Sequence, residues 1–244
     1  MVQATQRATV RGPTFIRLLA RLTGADVHPS SQSLSDRLGQ WLDWTHAIAL
    51  STTLDGRPPA PAADAPTFGS AEENECARVR SSLASAIAGE RESTIASQRG
   101  AGHAAAEEAG VDAAVDYTVF RQRYLSLQRA MQAATGKLRG SLRDMLAGKS
   151  ADMARLAELD AVMELALSPR EHRLLAAVPA LLGEHFERLR QAEQAMLADA
   201  QDTAAATPGA WLDVFRKDMQ SVLLAELDVR FQPVEGLLAA LRTS

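Results

Sequence analysis

Apolar side chains recur every three or four residues along most of the chain, and that spacing is typical of amphipathic α-helices. No segment shows the sustained alternation of apolar and polar residues that marks a half-buried strand. The pattern therefore predicts an all-α protein in three parts. These are an N-terminal helical hairpin over residues 1–54, a Pro/Ala-rich linker over residues 55–69 and a long-helix bundle over residues 70–244.

Two helices are predicted in the N-terminal hairpin. The first begins at Pro13, which a first helical turn tolerates, and ends at Gly24, a residue type that favours helix ends. The second begins after Ser31 and runs without interruption to about Leu50. The linker contains Gly56 and several prolines, which exclude regular structure. These prolines are Pro58, Pro59, Pro61 and Pro66.

The longest periodic segment lies between Asp116 and Ala147. Its apolar stripe follows a heptad pattern, which is typical of a coiled-coil seam or of a long helix in a bundle. The stripe consists of Tyr117, Phe120, Tyr124, Leu127, Met131, Ala134, Leu138, Ser141 and Met145. We expect this coiled-coil-like helix to mediate self-association into a homo-oligomer. The sequence leaves open whether residues 90–110, just before it, are ordered.

Cap signals predict where the later helices begin. Ser150 is expected to cap one helix, and Ser168-Pro169-Arg170-Glu171 has the capping-box pattern that predicts a new helix from Pro169. That helix is expected to kink at Pro179, because a proline ring removes one backbone hydrogen bond. The final helix is expected to be bent or interrupted at Pro233.

Composition and charge narrow the classes of function. The net charge is -4, so overall charge does not attract the protein to DNA or to anionic lipid. No apolar run approaches the roughly 20 residues that span a bilayer, and Arg17 and Arg21 interrupt the first apolar stretch. The single cysteine, Cys76, fits a reducing compartment. We expect a cytoplasmic protein whose contact with the inner membrane is at most peripheral.

Side chains suited to catalysis are scattered. Asp43 and His46 are three residues apart and would share one face of the predicted helix, where they form a hydrogen bond or part of a metal site. His185 lies on an apolar stripe and is interpreted as a buried, hydrogen-bonded histidine, and Cys76 is interpreted as packing. No nucleophile elbow, phosphate-binding loop or HExxH motif is found. We therefore predict a protein that is not an enzyme and has no catalytic residue, cofactor or metal.

Basic residues collect on the long periodic helix. Between Phe120 and Asp144 there are six cations and no acid: Arg121, Arg123, Arg129, Lys137, Arg139 and Arg143. They could pair with the acidic segment before the helix, dock an acidic partner or bind nucleic-acid phosphate. The aromatic residues of this helix belong to the apolar seam and do not interleave with the cations, which makes nucleic acid the alternative interpretation.

The block Trp41-Leu42-Asp43-Trp44-Thr45-His46, with the stretches Phe15 to Leu22 and Ser31 to Leu50 around it, resembles an uncharacterised proteobacterial family that is filed as a domain of unknown function. The resemblance covers most of the chain and implies no activity. It does imply that the gene of this protein lies beside the genes of an OmpA/MotB-like envelope protein and of a membrane protein with a long helical region. The resemblance therefore implies a cytosolic accessory subunit of an envelope assembly.

These observations favour a non-enzymatic helical scaffold or accessory interaction protein of a bacterial envelope-associated assembly. Its candidate interaction residues are Trp41, Asp43, Trp44, His46 and the six cations of the long helix. The first alternative is a nucleic-acid-associated regulator that uses those cations. The second, less favoured, is a helical-bundle enzyme near Asp43 and His46.

Overall fold

The computed structural model describes residues 14–25, 32–56, 66–89, 116–199 and 209–243, and the regular elements in these ranges are all α-helices. In chain order they are α1 (Thr14–Thr23), α2 (Leu34–Trp41), α3 (Trp44–Asp55), α4 (Ser70–Ala88), α5 (Tyr117–Lys149), α6 (Ala151–Ala176), α7 (Val178–Asp199) and α8 (Ala210–Thr243). The predicted all-α class is confirmed. The prediction about residues 90–110 lies outside the described residues.

α5 is the central helix, and it packs against α4, α6, α7 and α8. The large side chains of its heptad stripe are buried against these helices: Phe120, Tyr124, Leu127, Met131, Leu138 and Met145. The expectation that this seam mediates self-association is therefore corrected, because one chain already covers it. A homo-oligomer stays a prediction without the support of the seam.

The first helices pack on the C-terminal part of the chain. α1 contacts α7 and α8, where Arg188 donates a hydrogen bond to the carbonyl of Leu22. Gly24 has a φ of +67°, a left-handed conformation that confirms the predicted end of the first helix. α3 contacts α6. The division at residues 55–69 stays a prediction, since residues 57–65 lie outside the described ranges.

The predicted helix from Ser31 to Leu50 is wrong, because two helices occupy this segment. Ser33 caps α2, and the side chain of Asp36 accepts a hydrogen bond from the N–H of Ser33. The chain leaves helical geometry at Leu42, and Asp43 caps α3. The side chain of Asp43 accepts a hydrogen bond from the backbone N–H of His46, which favours a new helix start over continuation of α2.

The predicted helix start at Ser168-Pro169 is also wrong, because α6 continues through Pro169 to Ala176. The proline deprives the carbonyl of Leu165 of its helical donor, and Leu165 is 69% exposed, on the solvent side of α6. The break comes at Ala177, so Pro179 lies in the first turn of α7, where a missing N–H is tolerated. The predicted cap at Ser150 is confirmed. In place of the predicted interruption at Pro233, α8 continues through that residue.

An aromatic cluster joins α5, α7 and α8. The ring of Phe186 lies edge-on to Phe215 and to Trp211, with centroid distances of 5.0 and 4.8 Å. The ring of Tyr117 rests against Gly183, where a Cβ atom would lie 2.9 Å from Tyr117 Cε1. The glycine therefore permits this close approach, and burial raises the pKa of Tyr117 to about 12.

Candidate functional site

The Trp41–His46 block forms the junction between α2 and α3. Asp43 Oδ1 accepts a hydrogen bond from the backbone N–H of His46 at 2.8 Å and lies 2.7 Å from His46 Nδ1. The guanidinium of Arg170 lies over the ring of Trp41, with 4.5 Å between Arg170 Cζ and the ring centroid. Three of the four candidate residues in this block thus have a structural contact. The fourth, Trp44, is 79% exposed.

α3 has two apolar faces. Its inner face lies on α6, and the two helices run antiparallel, since Trp41, just before α3, meets Arg170 and Gly56, just after α3, accepts from Arg155. Its outer face presents large apolar side chains to solvent: Trp44, Ile48 and Leu54. At 3.6 residues per turn these three fall within about 120° of arc on a helix roughly 18 Å long. The outer face therefore carries three large apolar side chains, interrupted by Ser51, whose hydroxyl donates to Asp55, and we call this face the α3 strip.

The six cations of α5 divide into two groups. Arg139 and Arg143 turn towards α6, where both pair with Asp160 and Glu164. The remaining four are exposed: Arg121, Arg123, Arg129 and Lys137. The acids that complement this helix thus include two residues of α6. The acidic segment before α5, which the sequence offers as one possible partner of these cations, lies mostly outside the described residues.

Sequence reasoning misses a polar network inside the bundle. Glu226 on α8 is fully buried and accepts hydrogen bonds from Tyr124 Oη at 2.6 Å, Gln128 Nε2 at 3.1 Å and Arg230 Nε at 2.9 Å. The side chain of Arg230, 8% exposed, supplies the positive charge that a buried carboxylate requires. Burial, followed by the negative charge of Glu226, raises the pKa of Tyr124.

The same network repairs the break between α6 and α7. Pro179 has no N–H to donate to the carbonyl of Leu175, four residues earlier. Gln128 Nε2 donates to that carbonyl at 3.1 Å, and so α5, which packs against both helices, supplies the missing hydrogen bond. The sequence signals for this network were the spacing of four between Glu226 and Arg230, and again between Tyr124 and Gln128. Each spacing places two polar groups on one buried helical face.

His185 is a buried, hydrogen-bonded histidine, as predicted. It is 9% exposed, and its Nε2 lies 2.9 Å from Asp218 Oδ2. Asp218 also pairs with Arg21 at 3.2 Å, which links α1 to α7 and α8. Within the residues that the structure describes, no group of three His, Cys, Asp or Glu side chains is arranged to hold a metal ion. None of the described helices is both long and apolar enough to cross a membrane.

The chain is thus an all-α bundle with a buried carboxylate network and an apolar strip on its outer surface. It belongs to the family described as "Protein of unknown function (DUF3348)", whose model matches residues 1–243. This confirms the resemblance to an uncharacterised domain family, while the proteobacterial origin and the gene neighbourhood stay predictions. A comparison with curated proteins and one with solved structures gave no match.

Proposed function

We propose that this protein is a non-enzymatic helical adaptor that binds a partner protein of an envelope-associated assembly through the α3 strip. The observation that carries the proposal is Trp44, which is 79% exposed on a helix whose other face is already packed. Tryptophan is enriched among the residues that dominate binding energy, and exposed apolar patches mark interaction sites. The compartment that fits this role is the cytoplasm, including the inner surface of the membrane.

The charges around the α3 strip indicate the chemistry of the partner. Asp43 and Asp55 are exposed at the two ends of the helix, and no lysine or arginine lies between them, although His46 contacts Asp43. An apolar surface flanked by carboxylates complements an apolar surface flanked by lysine or arginine. The same carboxylates are repelled by anionic lipid, so these charges favour a protein partner over the membrane surface.

Photocrosslinking in the native cell tests the proposal. A benzoylphenylalanine at the exposed position Ala47, beside Trp44, is expected to give a discrete protein adduct, and Trp44→Ala should remove that adduct. Leu174→Ala is the matched control, since Leu174 is also a large exposed apolar side chain, at 61%. Both substitutions should change the free energy of unfolding by less than about 0.5 kcal/mol. An adduct that survives Trp44→Ala, or no adduct at position 47, would contradict the adaptor proposal.

A second crosslinker position tests the nucleic-acid alternative in the same cells. Ala133 is exposed on α5, one helical turn from Arg129 and from Lys137. Recovery of nucleic acid from position 133, sensitive to salt and to nuclease, would favour the regulator. That alternative has less support, because Arg139 and Arg143 are engaged by acids of α6.

A further inference from the structure

α6 and α8 both pack against α5, and a cleft of about 210 Å³ remains between them. α5 forms its floor with Gln132 and Gly136. α6 contributes Glu171 and His172 to one wall, and α8 contributes Val229 to the other. This cleft lies beside the buried network and is separate from the α3 strip.

The arginines of the cleft are saturated. Arg139 directs Nε and Nη2 to Asp160 at 2.8 and 2.7 Å, and its Nη1 lies 3.6 Å from Glu164. Arg230 directs Nε and Nη2 to Glu226 at 2.9 and 2.8 Å, and Nη1 to Glu171 at 3.3 Å. Each guanidinium nitrogen thus faces a carboxylate of the protein, which leaves little capacity to bind an anion.

Acceptors and negative charge are in surplus at the same place. One guanidinium, that of Arg230, serves two carboxylates, those of Glu226 and Glu171. Glu226 is fully buried and has three donors, so the charge in excess belongs to Glu171 at the mouth of the cleft. In addition, Pro233 has no N–H to give to the carbonyl of Val229, and both residues line the cleft.

Gly136 keeps the floor of the cleft open. A Cβ atom at this position would meet nothing within 4 Å, and the φ of Gly136 is not positive. Neither packing nor backbone conformation therefore requires glycine there, although glycine weakens a helix interior. The volume that a larger side chain at residue 136 would fill is therefore available to a ligand.

We propose that this cleft binds an aliphatic primary amine. An ammonium group carries a positive charge and three N–H donors, which match the carboxylate of Glu171 and the carbonyl of Val229. Its methylene chain would lie along Val229, Pro233 and Val234, the apolar part of the lining. This site does not depend on the adaptor proposal, since it uses neither α3 nor a protein partner.

Calorimetric titration of the full-length chain with 1,5-diaminopentane tests the site. Gly136→Leu should fill the cleft and weaken binding by about tenfold or more, and Glu171→Gln should do the same by removing a charge-assisted hydrogen bond. The matched control is Gly140→Leu, on the same helix with equally open surroundings but outside the cleft. Circular dichroism of each variant checks that it folds. Absence of binding to the native chain, or equal binding by a folded Gly136→Leu variant, overturns the proposal.

Two further probes identify the chemistry and its source. Trimethylpentylammonium has the charge but no N–H donor, and binding as tight as that of the diamine would overturn the role of Glu171 and Val229 as acceptors. Nα-acetyl-lysine-N-methylamide presents the same ammonium as a peptide does. Weaker binding than the diamine supports a free amine, and tighter binding supports the site with a partner's lysine as its occupant.

Discussion

Replacing Glu226 with alanine should test whether the buried network holds the bundle together. The substitution leaves Arg230, whose side chain is 8% exposed, without its nearest carboxylate. It also removes the acceptor of Tyr124 Oη and one acceptor of Gln128. Removing one partner of a buried ion pair typically costs about 3–5 kcal/mol, because the charge that remains is uncompensated. We expect a loss of that size, a large part of the roughly 5–15 kcal/mol that stabilises a typical domain.

Urea unfolding followed by circular dichroism measures this loss. The dependence of the unfolding free energy on urea should stay the same, so that the shift in midpoint reports stability alone. Glu235→Ala is the matched control, since Glu235 lies on the same helix and pairs with Arg80 but its side chain is 52% exposed. An exposed ion pair contributes about 0–1 kcal/mol, and the control should lose no more than that.

A loss below about 1 kcal/mol for Glu226→Ala would refute this account of the network. The double variant Glu226→Met/Arg230→Met provides a second check. Replacing both members of a buried ion pair with apolar side chains of similar size is often neutral. The double variant should therefore be more stable than Glu226→Ala alone, although Tyr124 and Gln128 still lack an acceptor in it. If the double variant were the less stable one, charge compensation would not be the reason for the loss.

Three further outcomes follow from the structure. The chain has two tyrosines, Tyr117 and Tyr124, and the pKa of each is raised in the folded state, so the native protein keeps protons that the unfolded chain releases near pH 10. The free energy of unfolding should therefore fall as the pH rises from 10 towards 12, and ultraviolet absorbance of the native protein should detect little tyrosinate below that range. Cys76 is buried, and this burial and then the charge of Glu75 raise its pKa, so a thiol reagent should modify the native chain at least about tenfold more slowly than the urea-unfolded chain. Gly140→Ala should raise the free energy of unfolding by about 0.5–1 kcal/mol in urea, because its Cβ meets no atom within 4 Å.

Local signals predicted the helices well, but they could not decide between two competing caps. Asp43 and Ser168 are both residue types that begin helices, yet only Asp43 does so here. The difference arises at long range. Glu171, which a capping box would direct back to Ser168, pairs instead with Arg230 on α8, 59 residues later. α6 therefore continues to Ala176, and no pattern within the segment contains that information.

The buried network was beyond sequence reasoning for a similar reason. Tyr124 and Glu226 are 102 residues apart, and only the packing of α5 on α8 brings them together. A glutamate in an apolar helix is ordinarily assigned to the solvent side, because a charge is rarely buried without a partner. The partner was present four residues away, at Arg230, and this spacing was the available signal. Gln128 has the same spacing from Tyr124, but no local signal indicates its hydrogen bond to the carbonyl of Leu175, since that bond compensates for Pro179 on another helix.

The heptad stripe of α5 shows why periodicity alone could not predict self-association. A seam of this kind is covered equally well by a second chain or by other helices of the same chain. Here α6 and α8 cover it, and residues such as Tyr124 and Met131 have no exposed surface left. Any self-association of the folded chain must therefore use another surface. It is not expected to join one α3 strip to another, because Asp43 and Asp55 would bring like charges together. If the protein is an oligomer, Trp44→Ala should therefore leave it assembled, whereas Met131→Ala should destabilise the monomer and the oligomer alike, by about 2–5 kcal/mol.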